Sequence, residues 1–211
     1  MPKGIPLTEE EIDRRRREIF QSAVDLIFKQ GFAATSMQTI AQAAGVGKST
    51  LYDYFPTKDH VLLFVFEEEL DRLQARAEEM SVRKMPVEEK LTRILEAHLE
   101  FLINNKNVNR EVSLRAMHLE RLGQRRILKK RYAYQDLLRG ILEQGVKEGL
   151  FRPINPRLTA RLLISMVEVL VYTTRPTGTP QEMLTDALQI FMHGIQSPLA
   201  GLKPDPARRT L

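Results

Sequence analysis

An all-α fold of about nine helices is what this 211-residue sequence predicts, and three observations predict it. Apolar residues recur at three- and four-residue spacing along most of the chain, the period of a helix with one buried face. No stretch alternates polar and apolar residues between hairpin turns. Glycine and proline fall between the periodic segments, at Gly45, Pro56, Pro86, Gly123, Gly149, Pro156 and Pro176, where helices start or stop.

Residues 35–58, TSMQTIAQAAGVGKSTLYDYFPTK, carry the most information and admit two readings. Gly45-Val46-Gly47-Lys48-Ser49-Thr50 resembles the end of a phosphate-binding loop, which would make the chain a nucleotide-binding protein. That loop needs a glycine five positions before Gly47, where this chain has Gln42, and a strand leading into it. Met37, Ile40, Ala41 and Ala44 instead form an i, i+3, i+4, i+7 apolar pattern, so a helix leads in. A helix-turn-helix suits the same residues. Ser36 or Thr35 caps a helix over 36–44, and Gly45 supplies the left-handed turn. A second helix over about 47–54 then turns Leu51 and Phe55 inward, and Pro56 ends it.

On these residues the chain resembles the TetR family of transcriptional regulators. The resemblance lies in residues 37–63, with IAQAAGVGKSTLYDYFPTKDHVLL at their centre: Ala-Gly-Val leads into Lys, Thr-Leu-Tyr, Tyr-Phe and a following Lys. It implies a first helix over about residues 8–30, the helix pair at 36–44 and 47–54, and a long linking helix beginning near Thr57. Residues 1–57 are then a three-helix DNA-binding domain and 58–197 a larger helical domain for effector binding and dimerisation, with 198–211 a disordered tail. The family's DNA contacts, carried over by position, fall on Gln38 and Thr39 of the first helix of the pair, on Lys48, Ser49 and Thr50 at the start of the recognition helix, and on Tyr52, Tyr54 and Lys58 for the phosphate backbone. Gly47 stands where the family often has serine, and Ser49 where it often has glycine.

Charge supports this reading less than the pI of about 9.5 suggests. Residues 1–60 hold Lys3, Arg14, Arg15, Arg16, Arg17, Lys29, Lys48 and Lys58 against Glu9, Glu10, Glu11, Asp13, Glu18, Asp25, Asp53 and Asp59, so the DNA-reading part is neutral in sum. The basic excess lies in residues 106–131, where nine Lys and Arg face only Glu111 and Glu120. Spacing, not net charge, carries the DNA-binding expectation.

The remaining helices follow from periodicity. Residues 58–80 carry Leu62, Val65, Phe66, Leu70 and Leu73 on one side, and Pro86 opens a helix to about 104 whose apolar side holds Leu91, Ile94, Leu95, His98, Phe101 and Leu102. Asn104, Asn105, Lys106 and Asn107 read as a loop. Helices over about 108–119 and 124–148 follow, with a break at Gly123. Residues 157–174 and 180–196 are apolar around more than half of their circumference, so each needs a second surface to cover it. The resemblance implies that these two helices form a four-helix homodimer interface, and the stripes place Leu158, Leu162, Met166, Val169, Leu170, Thr173, Leu184, Leu188, Phe191 and Ile195 there. A twofold dimer reads a palindromic double-stranded DNA operator.

The resemblance also implies an effector pocket in the larger domain, for which Phe64, His98, Phe101, Leu102, Met117, His118, Tyr134, Leu138 and Met166 are the candidate lining. Relatives answer to fatty acyl-CoA or to hydrophobic drug-like compounds, and release of a repressor by ligand is the commoner arrangement. The sequence therefore predicts a lipophilic effector, and no cofactor.

Other classes fit less well. The chain has no cysteine, and its four histidines lack metal-ligand spacing, so neither a thiolate site nor a metal site is expected. No nucleophile and base recur together in a catalytic motif, which argues against an enzyme. A non-specific DNA-binding or adaptor protein would use the helix-turn-helix but not a large apolar dimer face. No signal-like segment opens the chain and no apolar run is long enough for a bilayer, so the expected location is the cytoplasm, with no membrane partner.

Overall fold

The computed structural model describes residues 8–115 and 121–196, apart from the Phe28 side chain. Among the described residues the chain forms nine α-helices: α1 (Glu9–Gln30), α2 (Met37–Ala43), α3 (Lys48–Tyr54), α4 (Lys58–Val82), α5 (Val87–Asn104), α6 (Lys106–Arg115), α7 (Arg121–Lys147), α8 (Pro156–Tyr172) and α9 (Pro180–Ile195). The only β-type pairing among them is an antiparallel bridge between Phe151 and Gln196. The expected tail, 198–211, and the end of the helix expected to 119 lie outside the described residues.

Local chemistry accounts for several helix starts. Thr8, Ser36 and Thr179 each close a capping box, in which the hydroxyl accepts from the N3 amide and the N3 side chain accepts from the cap residue's own amide. Asn155 caps α8 by accepting from Leu158 N, with Pro156 in the first turn. Two ends are Schellman turns. At the end of α2, Gly45 (φ 63°) donates to the Gln42 carbonyl while Val46 N donates to Ala41 O. At the end of α7, Gly149 (φ 74°) and Leu150 repeat the arrangement on Val146 and Gly145.

The chain packs as two compact units, Met1–Asp71 with Asn105–Leu128, and Arg72–Asn104 with Lys129–Leu211. A linear cut at 57/58 therefore does not describe the packing: α6 and the early parts of α4 and α7 belong with α1, α2 and α3. In the first unit, Ile19, Phe20, Ala23, Val24 and Ile27 form the buried stripe of α1, and they share a core with Ile40, Leu51, Phe55, Val61, Leu62, Val65, Val108 and Val112. Two expectations fail here for physical reasons. Gly123 is no break but an interior residue of α7, because a Cβ there would come within 2.7 Å of Leu63 Cδ1; the glycine serves close approach. The expected loop at 104–107 shrinks to Asn105, which is buried and donates its side-chain amide to Glu69 Oε2 at 3.3 Å, so α6 begins at Lys106.

In the second unit α5 is the central element, packed against both α8 and α9. Its Leu91, Ile94, Leu95 and Leu99 meet Leu163 and Val167 of α8 and Leu184, Leu188 and Ile195 of α9 in one buried core. Lys90 is buried but remains satisfied, since its ammonium donates to Ser81 O at 2.7 Å. The segment between α7 and α8 is tied to the end of α9 by Arg152, whose amide donates to Ile195 O and whose Nε donates to Gly194 O.

Candidate DNA-reading face and effector core

In the first unit a helix, not a strand, enters the turn at Gly45, which removes the phosphate-loop reading. Leu51 is fully buried and anchors α3, leaving Lys48, Ser49 and Tyr52 exposed, with Thr50 and Tyr54 half-buried beside them. The start of α3 is bare: Gly47 occupies the cap position and offers no side-chain acceptor. On α2, Gln38 is exposed, whereas the Thr39 hydroxyl is committed to the cap, accepting from Ser36 N at 2.9 Å and donating to Ser36 O at 2.8 Å.

Lys58 is placed differently from a free phosphate contact. Its ammonium donates to Ala33 O at 3.3 Å and lies 4.2 Å from the centre of the Phe32 ring, so it is held over the connection between α1 and α2. Partial burial, and then the nearby Arg115 guanidinium, lower its pKa from the ordinary lysine value. Arg115 lies 4.6 Å from the same ring and pairs with Glu111 at 3.3 Å and Asp59 at 3.8 Å. Arg126 pairs with Glu67 at 2.8 Å. Part of the basic surplus between 106 and 131 is thus bound up in ion pairs within this unit, each of small energetic weight.

The effector candidates divide between the two units. Phe64 packs in the first, half-buried against Phe20 (ring centres 5.7 Å) and Phe55 (5.4 Å) beside the helix-turn-helix. Met117 and His118 lie outside the described residues. His98, Phe101, Leu102, Tyr134 and Leu138 are buried together in the second unit, and Met166 is half-buried. The His98 ring meets that of Tyr134 edge-on at 5.2 Å and that of Phe101 at 6.3 Å. Neither His98 Nδ1 nor Tyr134 Oη has a hydrogen-bond partner among the described residues. Burial alone lowers the His98 pKa to about 4 and raises that of Tyr134, so both are neutral near pH 7.

The interface candidates also divide. Leu158 and Leu162, each 53% exposed, and Val169, 65% exposed, form an open apolar face on α8. Met166, Leu170, Thr173 and Phe191 are half-buried. Leu184, Leu188 and Ile195 are buried inside the unit and serve its core instead, because that side of α9 packs on α5. Ile190, 77% exposed on α9, and Tyr172, 41% exposed on α8, are open apolar side chains outside the candidate set. Ile190 belongs to the apolar pattern of α9, but spacing alone cannot tell which of two apolar sides faces inward. Also unforeseen is an open groove of about 780 Å³ between α5 and α9, with Leu99, Leu184 and Leu188 in its floor and Glu96 and Glu100 on its rim.

Among the described residues no helix is long and apolar enough to cross a membrane. No group of three or more metal-ligating residues is found among them either.

Comparison with known proteins places these features. Residues 19–65 match the model of bacterial regulatory proteins of the tetR family, and residues 84–195 match that of the tetracyclin repressor-like C-terminal domain. The fatty acid metabolism regulator protein of Bacillus subtilis is 29% identical over 187 residues, covering 85% of this chain and 95% of its own. PfmR of Thermus thermophilus, a TetR family transcriptional regulator, superposes with a TM-score of 0.68 at 27% identity, over 83% of this chain and 97% of that one. FadR of Bacillus subtilis, solved in complex with stearoyl-CoA, shares the fold at 24% identity with a TM-score of 0.69, over 85% and 99%. With one model spanning the helix-turn-helix and another spanning more than half of the sequence, the chain belongs to the TetR family and is a transcriptional regulator.

Proposed function

We propose that the protein is a homodimeric repressor that binds a palindromic operator and leaves it when a lipophilic effector, of the fatty acyl-CoA class, enters the core of its second unit. The observation that carries this reading is the α2–α3 pair. It is fixed from behind by Leu51 and by the Schellman turn at Gly45, and it presents Gln38, Lys48, Ser49 and Tyr52 to the outside. Lys48, Ser49 and Thr50 read base edges, while Tyr52 and Tyr54 hold phosphates. The open face of Leu158, Leu162, Val169 and Ile190 pairs with its copy in a second subunit and sets the half-site spacing. The acyl-CoA class is taken from the fatty acid regulator and the stearoyl-CoA complex among the relatives, and the apolar surroundings of His98 and Tyr134 suit an acyl chain. α4 contributes residues to both units, so a ligand that favours one setting of that helix shifts operator affinity, by about 1–3 kcal/mol in couplings of this kind. The protein acts in the cytoplasm and carries out no catalysis of its own.

Fluorescence anisotropy on DNA from upstream of the protein's own gene, with excess random DNA as competitor, tests the reading. Specific binding that survives competitor and is lost on adding lauroyl-CoA or stearoyl-CoA is the expected result. Equal affinity for random DNA would leave a non-specific DNA-binding protein instead.

A further inference from the structure

The core of the second unit keeps two polar groups that its packing does not need. His98 on α5 and Tyr134 on α7 are 4% and 6% exposed, their rings touch edge-on, and neither the Nδ1 of one nor the hydroxyl of the other finds a partner among the described residues. An orphaned buried group of this kind costs about 1–3 kcal/mol, and phenylalanine at position 134 would fill the same ring volume without that cost. A sequence under selection for stability alone would not hold such a pair. Burial is the one cause that shifts the protonation of either side chain, and both are neutral near pH 7.

We infer that His98 and Tyr134 hydrogen-bond an uncharged carbonyl oxygen of the effector, so that its buried end is a thioester, ester, amide or ketone and not a free carboxylate. This rests on the reading that the effector enters the core of the second unit, and it adds the functional group. Tyr134 donates its O–H to the carbonyl oxygen, and neutral His98 adds a second donor in the tautomer that protonates Nδ1. A carboxylate placed between these two neutral, buried side chains would lose its water, which is far more costly than burying a neutral carbonyl. A hydrophobic chain lacking an oxygen at that position would leave the pair as unsatisfied as before.

Four twelve-carbon probes on the full chain test this: lauroyl-CoA, its thioether S-dodecyl-CoA, dodecanamide and laurate, with affinity read by calorimetry and ligand-free stability by thermal melting. The wild type is expected to bind lauroyl-CoA about ten-fold or more tighter than the thioether, and dodecanamide tighter than laurate. Tyr134→Phe is expected to melt at or above the wild-type temperature without ligand, yet to lose the preference for lauroyl-CoA over the thioether. A purely structural hydroxyl would give the opposite pair of results, a lower melting temperature and an unchanged preference, and would overturn the inference. So would laurate binding as tightly as dodecanamide. Should Tyr134→Phe fail to fold, His98→Leu, which also removes a donor, gives the same comparison from the other side chain. If none of the four probes binds while specific operator binding is intact, the reading of the effector as an acyl compound falls, and this inference with it.

Discussion

Gly145 of α7 lies against the Phe151 ring so closely that a Cβ at position 145 would overlap the ring carbons. The Gly145 carbonyl also accepts from Leu150 N at 3.0 Å and Phe151 N at 3.1 Å, so the chain reverses tightly onto this one residue. Gly145→Ala should therefore destabilise the protein by about 1–3 kcal/mol despite alanine's better helix propensity. At Gly140, earlier in the same helix, an added Cβ would meet nothing within 4 Å, and Gly140→Ala should stabilise by about 0.5–1 kcal/mol. Opposite shifts of the urea midpoint in the two variants, with Phe151→Leu recovering part of the Gly145→Ala loss, would establish the contact.

The turn between α2 and α3 gives a second pair. Gly45 holds φ at 63°, a strained conformation for any side chain, so Gly45→Ala should cost about 1 kcal/mol and weaken operator binding with it. Gly47 has an ordinary φ of −65°, and its nearest side-chain atoms lie 3.6 Å or more from an added Cβ. Gly47→Ser should supply the missing cap and raise stability by a few tenths of a kcal/mol. Melting curves of the two variants should move in opposite directions.

Lys48 and Lys58 should separate under mutation. Lys48 is exposed, and Lys48→Ala should weaken operator binding with little change in melting temperature. If it neutralises a phosphate, the slope of log affinity against log salt falls by about 0.9. Lys58 is engaged with Ala33 and Phe32, so Lys58→Ala should lower the melting temperature and change the salt slope by less than Lys48→Ala does. Salt titrations and melts of both variants check the order.

His98 should make stability depend on pH. Its folded pKa of about 4 lies below the ordinary histidine value of about 6.5, so between these limits the unfolded chain binds more protons than the folded one. The contribution is therefore complete above about pH 6.5 and is lost as pH falls toward 4, amounting to at most about 3 kcal/mol. His98→Leu should flatten this part of the melting-temperature profile relative to wild type. Equal slopes in the two proteins would exclude His98 as the source.

On the outer side of α8 and α9, Val169→Glu or Ile190→Glu should split the proposed homodimer while leaving the monomer folded, because both side chains are exposed within the chain. Sedimentation velocity at micromolar concentration should show monomer for either variant and dimer for the wild type. Leu188→Glu should instead unfold the unit, since Leu188 is core.

What the sequence made legible follows from which forces are local. Capping residues, prolines and apolar periodicity located most of the helices among the described residues to within a few residues, because each acts within a turn or two of chain, whereas the first helix followed from the family resemblance. Gly123 and Asn105 were misread because their roles depend on Leu63 and Glu69, residues distant in sequence. Phe64 was assigned to a pocket when its neighbours are Phe20 and Phe55, and Leu184, Leu188 and Ile195 to an outer face when they meet α5. In each case the apolar stripe was visible, but its partner was not. The unpartnered His98 and Tyr134 could not have been foreseen, since a missing hydrogen bond is a property of the packed core alone.

The bare start of α3 has a consequence for genetics. A seven-residue helix with no side-chain cap has little order of its own and depends on Leu51 and Phe55 being seated in the core. A screen for alleles that derepress the target genes should therefore return changes at these two hidden positions as readily as changes at Lys48 or Tyr52. Such alleles would be dominated by loss of the helix itself, and their clustering would outline the support of the reading surface as much as the surface that meets DNA.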